Sequence, residues 1–361
     1  MPGSRIPAEA LERFVDQIVQ AMGADRDVAA EVARHLVHAN LAGHDSHGVV
    51  RLPPYVAQAD RGELRPPARP ITVLESPATA VIDAQYGFGH FSTAFALSWA
   101  MDRARQKGIA GVAIRHSSHI GRLGDYTGRA GSQGLIAIVT AGAAGPGVGG
   151  MNIYGGRKRF LSANPWSIGI PVHGRAPVVF DGATSAVAEG KVLVARSQHS
   201  ALPPGCIVDR EGHPTTNPDD FYAGGALVPL GGEVAGHKGY GLALMSALLS
   251  GLAMIDEPEP ALMGAPVLQD QADTRGRIAG VFITVVDPAC FGDPVSYEKL
   301  VSETVAAAKR APPETGDGEI RVPGDRSEHT RRQRASTGIE LPAATWAELT
   351  AIAKRFAIAL P

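Results

Sequence analysis

Only two cysteines occur in 361 residues, Cys206 and Cys290. They lie far apart and make neither a disulfide framework nor a metal-ligand spacing, so a reducing cytoplasm is the simpler setting. Charge of one sign is also lacking. Thirty-four Lys and Arg stand against 36 Asp and Glu, a net −2, and the basic clusters are short. That excludes a general nucleic-acid binder. No apolar run reaches the ~18 residues of a membrane span. The opening stretch MPGSRIPAEALERF has no apolar core of a secretory signal. The expected protein is cytoplasmic, with neither nucleic acid nor membrane as partner. What abounds is glycine (43) and proline (27), which predicts many tight turns around a hydrophobic content of 44%. That content suffices for a large buried core.

Periodicity predicts two opening helices, over 8–22 and 27–41; Asp27 stands near the start of the second and Gly43 just past its end. ITVLE (71–75) and TAVID (79–83) read as strands joined by a Ser-Pro turn. A helix over 92–107, the strand IAGVAIR, the loop HSSHIG, a short helix and the strand GLIAIVT follow. Further strands are expected at 166–171 and 177–181, then a helical stretch entered through DGATS. A hairpin turning at Glu211-Gly212, an apolar helix HKGYGLALMSALLSGLAM and a buried strand IAGVFITVV come next. Residues 311–326 read as a surface connection, before two helices near 326–337 and 342–357. There is no internal repeat. Helix-rich ends around a centre without regular βαβ alternation predict a mixed α/β protein.

GPGVGG (145–150) matches G-x-G-x-x-G after a strand. The context of a Rossmann phosphate loop is missing, however. MNIYGGRKRFLSANP is no helix, and no acid stands ~20 residues on to bind a ribose hydroxyl. A glycine-rich loop is the better description.

The chemistry concentrates in HANLAGHDSHGVVRL (38–52). His35 and His38 are three apart on a helix and could share a metal, but no H-E-x-x-H pattern accompanies them, and surface or interface positions are the plainer reading. Ser46 lacks the strand-to-helix elbow of a hydrolytic nucleophile. A third reading has Ser46 and His47 hydrogen-bonding a small acid while Arg51 binds its carboxylate bidentately. Ordinary loop residues would give the same pattern. A second histidine-rich loop, RHSSHIGRLGDY (115–126), follows a buried strand, where site residues often sit.

NLAGHDSHGVVRLPPYV, SSHIGRLG, SANPWSIGIP, VVFDGATSAVAEGK, PPGCIVDREGHPTTNP, HKGYGLALM and IRVPGD stand in one order along the chain. In this the sequence resembles the malate/L-lactate dehydrogenase family, whose fold differs from that of the Rossmann-type lactate and malate dehydrogenases. The resemblance covers nearly the whole chain. It implies a non-Rossmann, mixed-sheet NAD(P)-binding domain over 76–309, carrying a helical insertion. It also implies a helical, dimerising domain built from 1–75 and 310–361, and hence a homodimer. The implied reaction interconverts 2-oxo acids and (S)-2-hydroxy acids with NADH or NADPH. His119 is the implied acid/base. Ser46, His47 and Arg51 fall on the substrate loop, with His47 also touching the nicotinamide end. Gly121, Arg122 and Leu123 would line the cofactor. So would the turn Asp181, Gly182, Ala183, Thr184 and Ser185, together with His237, Lys238, Gly324 and Asp325. No metal is implied.

The chain departs from the family pattern in three places. Ser162 and Ala163 stand where Gly-Thr is usual, Gly182 stands where Met or Tyr is usual, and the loop GPGVGGMNIYGG is longer and richer in glycine. These changes bear on substrate and on the choice between NADH and NADPH. Reduction of a cyclic imine such as piperideine- or pyrroline-2-carboxylate is the neighbouring alternative. A His-site metallohydrolase and a catalytically dead dinucleotide-binding protein are the more distant ones.

Overall fold

The computed structural model describes residues 5–255, 278–314 and 318–361. The chain opens with β1 (Arg5–Ile6), α1 (Ala8–Ala21) and α2 (Arg26–Leu41). Two 3-10 turns, Asp45–His47 and Val49–Arg51, lead into α3 (Leu52–Asp60). Next come β2 (Ile71–Glu75), β3 (Thr79–Asp83), α4 (Gly89–Lys107), β4 (Ile109–Arg115), α5 (Leu123–Gly131) and β5 (Ile136–Ala144). The short strands β6 (Met151–Asn152) and β7 (Arg159–Leu161) precede β8 (Trp166–Ile170), β9 (Val178–Gly182) and α6 (Glu189–Ser197). Then follow β10 (Ile207–Val208), β11 (Pro214–Thr215), α7 (Pro218–Tyr222), β12 (Ala226–Leu227) and α8 (Gly232–Ser250). The chain closes with β13 (Ile278–Val286), α9 (Pro294–Lys309), α10 (Asp325–Thr337), β14 (Ile339–Glu340) and α11 (Ala343–Arg355).

The architecture is the expected mixed α/β. Twelve strands form one sheet whose main path runs β11-β10-β12-β6-β7-β5-β13-β4-β3-β2, with β8 and β9 branching from β5. At its centre β13 pairs antiparallel with both β5 and β4, whereas β3 and β4 run parallel. Side chains alternate across a strand, so Val281, Ile283 and Val285 face one side. There they share a buried cluster with Leu97 and Met101 of α4 and Tyr126 of α5. On the opposite side Gly142 and Gly280 let α8 approach the sheet. A Cβ at Gly142 would stand 2.5 Å from the Ala247 nitrogen, and one at Gly280 2.5 Å from the Ser250 carbonyl oxygen.

A second core is helical. Leu11, Phe14, Val15, Ile18 and Val19 recur at three- and four-residue spacing on α1 and are buried against α2. Fully burying each such side chain contributes about 1.5–3 kcal/mol. Both ends of the chain meet here: β1 pairs with β14, and Leu349, Ile352 and Ala353 of α11 join the cluster.

GPGVGG continues into β6 and not into a helix, as its context requires. The expected strands and helices are present; the structure adds α7 and the short strands β1, β6, β7, β12 and β14, and differs further in four places. Helix α3 opens on Pro53-Pro54, tolerated because first-turn N–H groups have no intrahelical partner. Helix α9 is capped by the Asp293 carboxylate, which accepts from the N–H groups of Val295 and Ser296; neither helix is anticipated above. Helix α8 starts at Gly232, so His237 and Lys238 lie inside it. The DGATS turn leads first to a bridge between Ser185 and Pro229, and α6 starts only at Glu189. The surface connection 311–326 lies within the described residues except for 315–317.

Candidate active site

The site forms where the end of α2 meets the loop after β4. Asn40, buried in the last turn of α2, organises the substrate loop. Its Oδ1 accepts the Val49 N–H at 2.9 Å and its Nδ2 donates to Asp45 at 2.6 Å. Gly48 is obligatory beside it, because a Cβ there would sit 2.2 Å from Asn40 Oδ1. Asp45 is further held by both guanidinium arms of Arg334 from α10, at 2.6 and 3.0 Å. Asp45 is thus an anchor between chain ends.

This anchoring presents Ser46, His47 and Arg51 together. Ser46 Oγ lies 3.0 Å from His47 Nδ1, and Arg51 Nε donates to the Ser46 carbonyl at 2.6 Å. The His47 ring stacks on that of His119, with centroids 5.5 Å apart and planes 25° from parallel. No carboxylate pairs with Arg51 among the described residues. Burial first, then the Arg51 charge, pushes His47 down to about 3. His119 is held well below its ordinary value by the same two causes, with His47, His90 and His35 adding to them. The imidazoles of His47, His90 and His119 are thus kept neutral around the Arg51 guanidinium, a setting that favours an incoming anion.

Behind His119 stand two groups that the motif reading passes over. The Tyr55 hydroxyl lies 2.7 Å from His119 Nδ1 and 3.5 Å from His90 Nε2. Tyr55 follows Arg51 by four residues and so shares its helical face, a spacing visible in the sequence. His90, wholly buried in α4, has no such signal.

His35 is no surface residue. It is completely buried, while His38 is exposed as expected. The Arg122 backbone N–H donates to His35 Nε2 at 2.9 Å, which leaves the proton on Nδ1, 3.4 Å from Asp125 Oδ2. Burial works to raise the Asp125 carboxyl, but His35, His38 and Arg34 outweigh it and hold Asp125 well below the usual carboxylate range. Glu31, His35 and Asp125 bring ligand atoms within 4.8 Å of one another. Arg34 and Arg129 already bind these carboxylates, at 2.6–3.2 Å, and their charge opposes a metal cation.

The cofactor candidates fall into three groups. Gly121, Arg122 and Leu123 meet Asp181: Gly124 N–H donates to Asp181 Oδ2 at 2.8 Å, and Arg122 Nε stands 3.4 Å from the same oxygen. Burial pushes the Asp181 carboxyl up despite Arg122. Thr184 and Ser185 are buried, and their hydroxyls donate to the Ala163 and Val187 carbonyls, both at 2.8 Å. Gly182 lies against the Phe180 ring, and Ala183 is half-buried. In the second group Gly324 packs on Val179, next to this turn, while Asp325 pairs with Lys309 at 2.6 Å and Arg175 at 3.1 Å. His237 and Lys238 form the third group. They are exposed on α8, His237 edge-on to Tyr154, and among the described residues no contact joins them to the His119 cluster.

Comparison with known proteins decides the family. The family model described as malate/L-lactate dehydrogenase matches residues 6–350. The chain belongs to that family. It is 34% identical over 349 residues to hydroxycarboxylate dehydrogenase B of Escherichia coli (strain K12), covering 95% of this chain and 92% of that one. The crystal structure of malate dehydrogenase from Entamoeba histolytica superposes with a TM-score of 0.90 at 25% identity, over 99% of both chains. That of delta1-piperideine-2-carboxylate reductase from Pseudomonas syringae pvar. tomato gives 0.81 at 30% identity, over 97% of this chain and 99% of that one. Such relatives make this malate/L-lactate dehydrogenase family member an oxidoreductase. No helix among the described residues is long and apolar enough to cross a membrane.

Proposed function

We propose that the protein is an NAD(P)-dependent 2-hydroxycarboxylate dehydrogenase, interconverting 2-oxo acids and (S)-2-hydroxy acids. The observation that carries this reading is the facing pair of Arg51, a cation with no acidic partner among the described residues, and a neutral, half-buried His119. Arg51 is suited to hold the substrate carboxylate, because its Nε binds the Ser46 carbonyl while its Nη groups make no hydrogen bond among the described residues. Ser46 and His47 flank it. His119 donates to the oxygen at C2 and stabilises the charge that grows there.

The residues fit a dinucleotide. Buried Arg122 Nε has no hydrogen-bond partner, standing 3.4 Å from the Asp181 carboxylate. Arg122, Asp181 and the DGATS turn would hold the cofactor, with Lys238 and the Gly324-Asp325 turn at its margins. When bound, the nicotinamide exchanges a hydride with C2 of the acid.

The free thiols of Cys206 and Cys290 support a cytoplasmic setting. The division into 1–75 with 310–361 and 76–309 is supported by the helical core that both chain ends share, while β2 (Ile71–Glu75) belongs to the sheet. A homodimer is supported by α8, whose later turns expose Leu242, Met245 and Leu248 along one stripe, continued by Leu252 in the 3-10 turn that follows it. Imine reduction is the second reading, favoured by the likeness to the piperideine-2-carboxylate reductase. The test is loss of reduced-nicotinamide absorbance with NADH or NADPH and a panel of pyruvate, oxaloacetate, glyoxylate, hydroxyphenylpyruvate and piperideine-2-carboxylate. Turnover on a keto acid supports the first reading, turnover on the imine alone the second. Cofactor bound without turnover on any of them rejects both.

A further inference from the structure

Two donors converge on a single nitrogen of His119. The Tyr55 hydroxyl lies 2.7 Å from Nδ1, and the backbone N–H of Gly121 points at the same atom across 3.3 Å. An amide N–H can only donate, so Nδ1 must present its lone pair. A neutral imidazole in that position carries its proton on Nε2. The amide is itself fixed. Gly121 has φ +72°, and its Cα touches down so close to His35 that a Cβ would stand 2.4 Å from His35 Nε2.

Tyr55 is equally immobile. It is 2% exposed and packs edge-on against the Phe88 and His90 rings. Burial raises its hydroxyl well above the usual phenol range, so it keeps its proton at neutral pH. The other groups facing His119 are Arg51 and His47 from the 3-10 turns, His90 from α4 and His35 from α2. None offers a carboxylate that would favour an imidazolium.

We infer that Tyr55 is a positioning residue: with the Gly121 amide it locks His119 in the Nε2–H tautomer, so that a neutral imidazole meets the keto oxygen. This rests on the 2-oxo acid reading of the site. The proton count closes through the same hydroxyl. As the C2 oxygen gains its bonding pair, the Nε2 proton passes to it and the Tyr55 proton passes to Nδ1. His119 stays neutral with its tautomer reversed. When the product leaves, a solvent proton returns to Nε2 and the Nδ1 proton passes back to the Tyr55 oxygen, which faces the Arg51 charge, so that the starting tautomer is restored.

Solid-state 15N NMR of protein labelled in its histidine rings tests this without turnover, His119→Gln identifying the signals. At neutral pH His119 should show a protonated Nε2 and a bare Nδ1, and it should hold both as the pH is lowered to about 5.5, where an ordinary His is mostly imidazolium. Tyr55→Phe, which keeps the ring and its packing, should give a mixture of tautomers. It should lower kcat by about three- to tenfold, the usual worth of one neutral hydrogen bond, with KM for the keto acid unchanged. An Nδ1–H tautomer or an imidazolium in the wild type would overturn the inference. So would a Tyr55→Phe variant with unaltered tautomer and kcat. If the tautomer is as stated but no 2-oxo acid is reduced, the function assigned above fails and the lock stands.

Discussion

Replacing Gly121 by Ala should damage both the fold and the chemistry, and the structure says by how much. The new Cβ would lie 2.4 and 2.6 Å from His35 Nε2 and Cδ2, and 2.8 Å from His90 Cδ2. Both rings are fully buried and cannot swing aside. A side chain at φ +72° adds strain of about 1–2 kcal/mol. Overpacking adds about 1–3 kcal/mol, and displacing His35 from the Arg122 N–H about 0.5–1.5 kcal/mol. The reduced freedom of the unfolded chain returns about 0.4–1 kcal/mol. The net loss is about 1.5–6 kcal/mol. Gly62 provides the control. It has φ +74° but nothing within 4 Å of its Cβ position, so Gly62→Ala carries the strain without the clash. Urea denaturation of both variants reads the difference directly. If Gly121→Ala is no less stable than Gly62→Ala, the tight packing of the His119 loop on His35 and His90 is refuted.

Other expectations follow from the same geometry. His119→Ala should cut turnover by about 10²–10⁴-fold, the range for losing an acid/base group, while titration with NADH shows binding intact; near-normal turnover would remove His119 from the role. Arg51→Ala should chiefly raise KM for the keto acid, by about 10–100-fold for a lost charge-assisted contact, and an unchanged KM would take Arg51 out of the carboxylate grip. Stability should fall as the medium is acidified. His44 and His47 are pushed down to about 4 and about 3 by burial and nearby arginines, from an ordinary 6.5. Below that value the unfolded chain binds protons that the folded one refuses, so their contribution is complete above about 6.5 and is lost progressively towards 3. A urea midpoint that rises on acidification through this window would contradict it. Arg334→Ala should free Asp45 and loosen the substrate loop, read as faster amide exchange over residues 44–51 than in the wild type.

Local signals revealed most of the fold, because helical and strand periodicities are written within short windows. The apolar stripe of α1 and the nine-residue run of β13 leave little choice of structure. Proline obscured α3, whose first-turn Pro53-Pro54 looks like a break until the chain is seen to enter a helix there. Within the site, Ser46, His47, Arg51 and His119 were legible as types of chemistry on loops. Their convergence was not, since it depends on Asn40, Asp45 and Arg334 tying loop to helix across 294 positions of sequence. His35 misleads for a related reason. A polar residue on a helix reads as exposed, yet here a backbone N–H from the second histidine loop satisfies it in the core. The hydroxyls of Thr184 and Ser185 show the converse, being turned inward to backbone carbonyls.

The most direct test of the central claim is the fate of a labelled hydrogen. Reduced nicotinamide cofactor carrying deuterium at C4 would be incubated with the protein and each 2-oxo acid of the panel, and the recovered acid analysed by NMR. The account predicts an (S)-2-hydroxy acid with deuterium on C2, formed by the wild type and scarcely by His119→Ala. An unlabelled product, or cofactor left unconsumed with every acid, would contradict it.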